Sequence, residues 1–62
     1  MNQDQVINTF KAAIRHGSSF ESALGKAGLL ADADNKALLL RSFPFFSQKY
    51  GPGTTLHTEI SQ

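Results

Sequence analysis

Apolar residues recur along this chain at helical spacing and are interrupted by glycine and proline. Val6, Phe10, Ala13 and Ile14 line one face of a helix, Ile7 widens the stripe, and Asn8, Lys11 and Arg15 fall mainly on the polar side. Asn2 and Gln5 have the spacing of a capping box, in which each side chain satisfies the other residue's backbone N–H. The pattern therefore predicts a first helix that begins after Asn2 and is stopped by a left-handed Gly17, just after His16.

Ser18 and Glu21 form a second box, and Phe20, Leu24 and Ala27 follow at i, i+4 and i+7 before Gly28, where this short helix is expected to end. Gly25 inside it weakens the intrinsic helical preference by about 1 kcal/mol relative to alanine, so tertiary packing must hold the segment. Leu29 and Leu30 are expected in the connection, with Leu29 closing over the preceding helix end. Asp32 and Asp34 both suit the N-cap of a third helix starting near Ala33. Pro44 disfavours α geometry at Phe43, which predicts a break near Ser42 and a fourth short helix from Pro44 to Gly51.

Gly51, Pro52 and Gly53 divide a helical domain, residues 1–50, from a C-terminal tail, residues 51–62. Leu56, Thr58 and Ile60 alternate there with His57 and Glu59, so the tail is expected to be flexible or a short extended segment. The fold class expected is all-α, with three to four short helices.

Leu38, Leu39 and Leu40 are consecutive, and at about 100° per residue they occupy more than half the circumference of the third helix. One neighbouring layer cannot shield all three. Phe43, Phe46 and Tyr50 share a face downstream while Phe45 points elsewhere, and Phe10, Ile14, Phe20 and Leu24 already supply a monomeric core. Burying one such side chain is worth roughly 1.5–3 kcal/mol, against a margin of about 5 kcal/mol for a small domain. The pattern thus predicts a homodimeric helical bundle with an interaction surface of Leu39, Leu40, Phe43, Phe45, Phe46 and Tyr50.

Composition narrows the function without naming it. A chain of 62 residues holds one core and buries only about 60% of its unfolded surface, and zero cysteines exclude disulfides and thiolate chemistry. No apolar run approaches the roughly 20 residues of a membrane span, and the polar start with Asp4 is unlike a basic, apolar leader. A soluble, unprocessed, cytoplasmic protein is expected. The formal charge is only +1, with Lys11, Arg15, Lys26, Lys36, Arg41 and Lys49 dispersed along the chain, so no electrostatic footprint demands nucleic acid or lipid.

No nucleophile, base and orienting group can be assembled from the sequence. His16 suits a helix C-terminus, His57 lies in the tail, and Ser18 and Ser19 read as caps. Asp32 and Asp34 lack the other ligands of a calcium loop, and Gly51 to Thr54 lacks the lysine of a phosphate loop. A non-enzymatic protein with no cofactor and no metal is expected. An alternative is a small DNA-binding regulator: Phe20 to Ala27, a turn at Gly28 and a helix from Asp32 follow the order of a helix-turn-helix, with Lys36 and Arg41 as its cations. Its recognition helix would, however, open with Asp32 and Asp34, which oppose a polyanion.

From Val6-Ile7-Asn8-Thr9-Phe10 through Phe43-Pro44-Phe45-Phe46, the chain resembles the small early proteins of lambdoid phages encoded between the exonuclease and excisionase genes. That resemblance rests on size, cysteine-free helical composition and general sequence character. It implies a non-enzymatic helical protein that modulates the host cell cycle and the choice between lysis and lysogeny through a host protein. No site residues carry over from it.

Overall fold

The structure is a computed structural model and describes residues 1–61, so Gln62, the end of the expected tail, lies outside the described residues. Among the described residues the chain forms five helices and no strand: α1 Gln3–His16, α2 Ser19–Leu30, α3 Ala33–Ser42, α4 Phe45–Tyr50 and α5 Thr55–Ser61. None is long and apolar enough to cross a membrane.

Helix α1 begins where the capping box predicts. The Gln5 amide donates to Asn2 Oδ1 at 2.8 Å and the Asn2 amide donates to Gln5 Oε1 at 2.9 Å. Its end differs from expectation, because Gly17 is extended, with φ −82° and ψ 168°, rather than left-handed. A side chain there is excluded by crowding instead: a Cβ would stand 2.5 Å from the Ala13 carbonyl oxygen.

Helix α1 is the axis of the molecule, with α2, α4 and α5 packed around it. Phe10, Ala12 and Ala13 are fully buried on it, and Phe46 and Tyr50 of α4 complete the core. The α1–α2 contact is made close by glycine. A Cβ on Gly28 would meet the Phe10 ring at 2.5 Å, and one on Gly25 would meet the Phe10 carbonyl oxygen at 2.8 Å. Gly28 is thus a seat for Phe10 and not a terminator, which corrects the expected boundary: α2 continues through Leu29 to Leu30, capped at Ala31. Leu29 is half-buried against the core and Leu30 is 89% exposed.

Helix α3 is capped by Asp32, whose carboxylate accepts from the Asn35 amide at 2.8 Å. The break before Pro44 and the short α4 ending at Gly51 follow the sequence pattern. The expected flexible or extended tail is corrected over its described part, where Thr55–Ser61 form α5 on the flank of α1. Thr54 caps this helix, donating to the Gly51 carbonyl at 2.8 Å and accepting from the His57 amide at 3.3 Å. Leu56 and Ile60 are four residues apart, a spacing that puts both on one face of a strand and on one face of a helix, and α1 supplies the apolar surface that selects the helix.

Candidate functional site

Two regions bring chemistry-bearing side chains together: a polar clasp between α2 and α4, made of the buried Glu21 and Tyr50 with the exposed Lys49, and an apolar outer region on α3 with the rings beside it.

The clasp centres on Glu21. Its Oε1 accepts from the Tyr50 hydroxyl at 2.6 Å and its Oε2 pairs with Lys49 Nζ at 2.7 Å. Ser18 caps α2 by accepting from the Glu21 amide at 3.2 Å, but the Glu21 side chain leaves the expected box and reaches across to α4. The Lys49 hydrogen bond, the Tyr50 hydrogen bond and the Lys49 charge hold the Glu21 carboxyl below its usual range. Burial, together with the adjacent carboxylate, pushes the Tyr50 hydroxyl up to about 12. A general acid or base working near neutrality needs a pKa near the operating pH. Both groups are displaced away from it, so the geometry suits a fastener between helices. Lys49 also lies 5.9 Å above the Phe45 ring.

His57, expected in an open tail, is buried at 5% exposure. Its Nδ1 is 2.8 Å from the Tyr50 carbonyl oxygen and 3.4 Å from Thr9 Oγ1. A carbonyl only accepts, so Nδ1 carries the proton and donates. His16 Nε2 stands 3.1 Å from Glu59 Oε2, tying the end of α1 to α5. Both histidines therefore join α5 to the helical body. Among the described residues no three histidine, aspartate or glutamate side chains gather as a metal site would require.

The outer region redistributes the surface residues expected from sequence. Phe46 is fully buried, with its ring 5.0 Å from Phe10 in an edge-to-face contact, and Tyr50 is 3% exposed, so both leave the proposed interaction surface for the core. Their removal follows from position: on a helix lying against α1, residues 46 and 50 are one turn apart on the inward face. Leu39, Leu40, Phe43 and Phe45 remain half-buried. Phe20, expected in the core, is instead 58% exposed and joins Phe43 at 5.8 Å and Phe45 at 6.5 Å in a surface cluster of rings. Phe45 contacts Phe46 at 4.5 Å, linking this cluster to the core.

Helix α3 contributes no fully buried residue, and Leu38 on it is 48% exposed. Between α3 and the start of α1 runs an open groove of about 740 Å³, whose lining includes Val6, Ala33, Lys36, Ala37, Leu40 and Arg41. The two cations of the DNA-binding alternative have different surroundings. Lys36 directs its ammonium to the Leu29 carbonyl at 3.4 Å and to the Ala31 carbonyl, which ties α3 to the end of α2. Arg41 is exposed.

Compared with known proteins, this chain matches no family model, no curated protein and no solved structure.

Proposed function

We infer that the chain is a non-enzymatic protein-interaction module that associates with itself and with another protein through α3 and the Phe20–Phe43–Phe45 cluster. One observation carries this reading. A ten-residue helix holding three consecutive leucines has none of its side chains fully buried, and beside it the Phe20 ring is 58% exposed. Aromatic and aliphatic groups clustered on a surface are the usual anchors of protein contacts. By its resemblance to early proteins of lambdoid phages, the second partner would be a bacterial host protein and the role modulation of the host. The alternative of a DNA-binding regulator draws less support, because Lys36 already serves the carbonyls of α2 and α3 opens with Asp32 and Asp34.

Sedimentation over a wide concentration range, paired with capture from a nuclease-treated bacterial lysate, tests the reading. The wild type is expected to self-associate reversibly, and Phe20→Ser with Phe45→Ser is expected to lose partner capture while remaining helical. A folded chain that stays monomeric and whose captures ignore both substitutions would defeat it.

A further inference from the structure

Four exposed side chains of α3, Asp34, Ala37, Leu38 and Arg41, fall on one stripe. Their spacing of i, i+3, i+4 and i+7 confines them to an arc of about 100°. The arc faces away from Leu39, which packs on the core cluster, and from Lys36, which is tied to α2. Leu38, midway along the stripe and at one margin of the arc, is 48% exposed. Among the described residues neither Asp34 nor Arg41 has an ion pair within the protomer.

We propose that this stripe pairs with the same stripe of a second copy, antiparallel, about a two-fold axis passing between Ala37 and Leu38. The proposal rests on the self-association put forward above and adds its orientation and register. Along the stripe the order is acid, apolar, apolar, base. A two-fold reverses that order, so Asp34 comes level with Arg41 of the other copy and Arg41 with its Asp34. Leu38 of each copy then covers the small Ala37 of the other, and Ala37 lets the helix axes approach toward the near end of the usual separation of about 8–10 Å. A parallel pairing would set Asp34 against Asp34 and Arg41 against Arg41, which like charges oppose. Self-complementarity of this kind is what an isologous interface demands.

Helix α3 is ten residues long, or about 15 Å. The contact it makes is therefore small, below about 1,200 Å². Association is weak, dependent on concentration, and reduced by salt because the flanking ion pairs sit at the rim.

Charge reversal with analytical ultracentrifugation tests the pairing. Asp34→Lys and Arg41→Glu are compared with the wild type and with their equimolar mixture, with circular dichroism verifying helicity. Each reversal alone places like charges face to face and is expected to weaken self-association about tenfold or more. The mixture sets an all-acid stripe against an all-basic one and is expected to form a heterodimer at least as tight as the wild-type dimer. Such rescue also rules out misfolding as the cause of either loss, and Asp34→Ala with Arg41→Ala, which carry no reversed charge, are expected to weaken association less. Reversals that dimerise as the wild type does, or a mixture no tighter than its components, would overturn the register. If Phe20→Ser then abolishes the dimer, the copies meet through the rings and the interaction-module reading survives. A wild type monomeric at every concentration would overturn the pairing together with the self-association on which it rests.

Discussion

Helices α1 and α3 carry similar densities of apolar residues but stand in opposite relations to the rest of the chain. On α1 the residues Phe10, Ala12 and Ala13 lose all contact with solvent, because α2, α4 and α5 surround them. On α3 nothing is fully buried, and its principal neighbour is the end of α2. The difference lies less in the residues of the two helices than in what meets them. Opposite α1 stand Gly25 and Gly28, which let a second backbone approach, whereas α3 meets chiefly α2 and leaves Leu38 48% exposed.

The largest effect that would sharpen this contrast is expected at Phe10. Phe10→Ala removes the side chain on which α2 and α4 converge and should cost about 3–5 kcal/mol, comparable with the whole margin of a small domain. A thermal melt followed by circular dichroism should show little cooperative unfolding. Leu38→Ala, measured at a concentration where the chain is monomeric, should stay within about 0.5 kcal/mol of the wild type. Equal losses at the two sites would break the contrast.

A smaller effect is expected at Gly28. Alanine gains about 1 kcal/mol of helix propensity over glycine, yet its Cβ would collide with the Phe10 ring, at 2.5 Å. Overpacking of this kind costs about 1–3 kcal/mol, so urea denaturation should find Gly28→Ala destabilised despite its better propensity.

The clasp joining α2 to α4 predicts two pH limits. Glu21 has a lowered pKa in the fold, so its contribution is present above its ordinary value of 4.5 and is lost as pH falls below that value. Glu21→Gln should therefore be less stable than the wild type at neutral pH, and the difference should shrink in acid. Tyr50 behaves oppositely: raised from 10.0 to about 12, it contributes stability below pH 10 that is lost as pH rises toward 12. Since Tyr50 is the only tyrosine, ultraviolet titration of tyrosinate reads it directly. A midpoint near 10 in a chain still folded would contradict the clasp.

The smallest effect separates the two cations of α3. Lys36→Ala removes a cation from the last carbonyls of α2 and should lower stability by about 0.3–1 kcal/mol. Arg41→Ala should leave the monomer's melting temperature unchanged while weakening self-association.

Much of this fold was legible because its signals are local. The Asn2–Gln5 box, the Asp32 cap, the Pro44 break and the Gly51 stop each act within about one helical turn, and each appears where the residues place it. Gly28 and the C-terminal segment are ambiguous in sequence for the same reason that those signals are plain. A glycine looks identical whether it ends a helix or seats a ring from another one, and a seven-residue run with Leu56 and Ile60 fits two periodicities until a surface selects between them. The surplus of apolar side chains on α3 was visible in advance as a count, whereas its membership was not: Phe46 and Tyr50 went inward and Phe20 outward. Glu21 was readable as a cap residue, but nothing near it in sequence announces Lys49 and Tyr50, 28 and 29 residues away.

What the sequence alone determined, then, is the helical class, the starts of the first three helices and an excess of apolar surface on the third, since hydrogen-bonding caps and side-chain periodicity depend only on near neighbours. Which rings fill the core, where α2 ends, that the C-terminal segment coils against α1 and that a carboxylate fastens α2 to α4 were decided by tertiary packing. Those outcomes depend on which surfaces distant segments present to one another, and spacing along a chain carries no record of that.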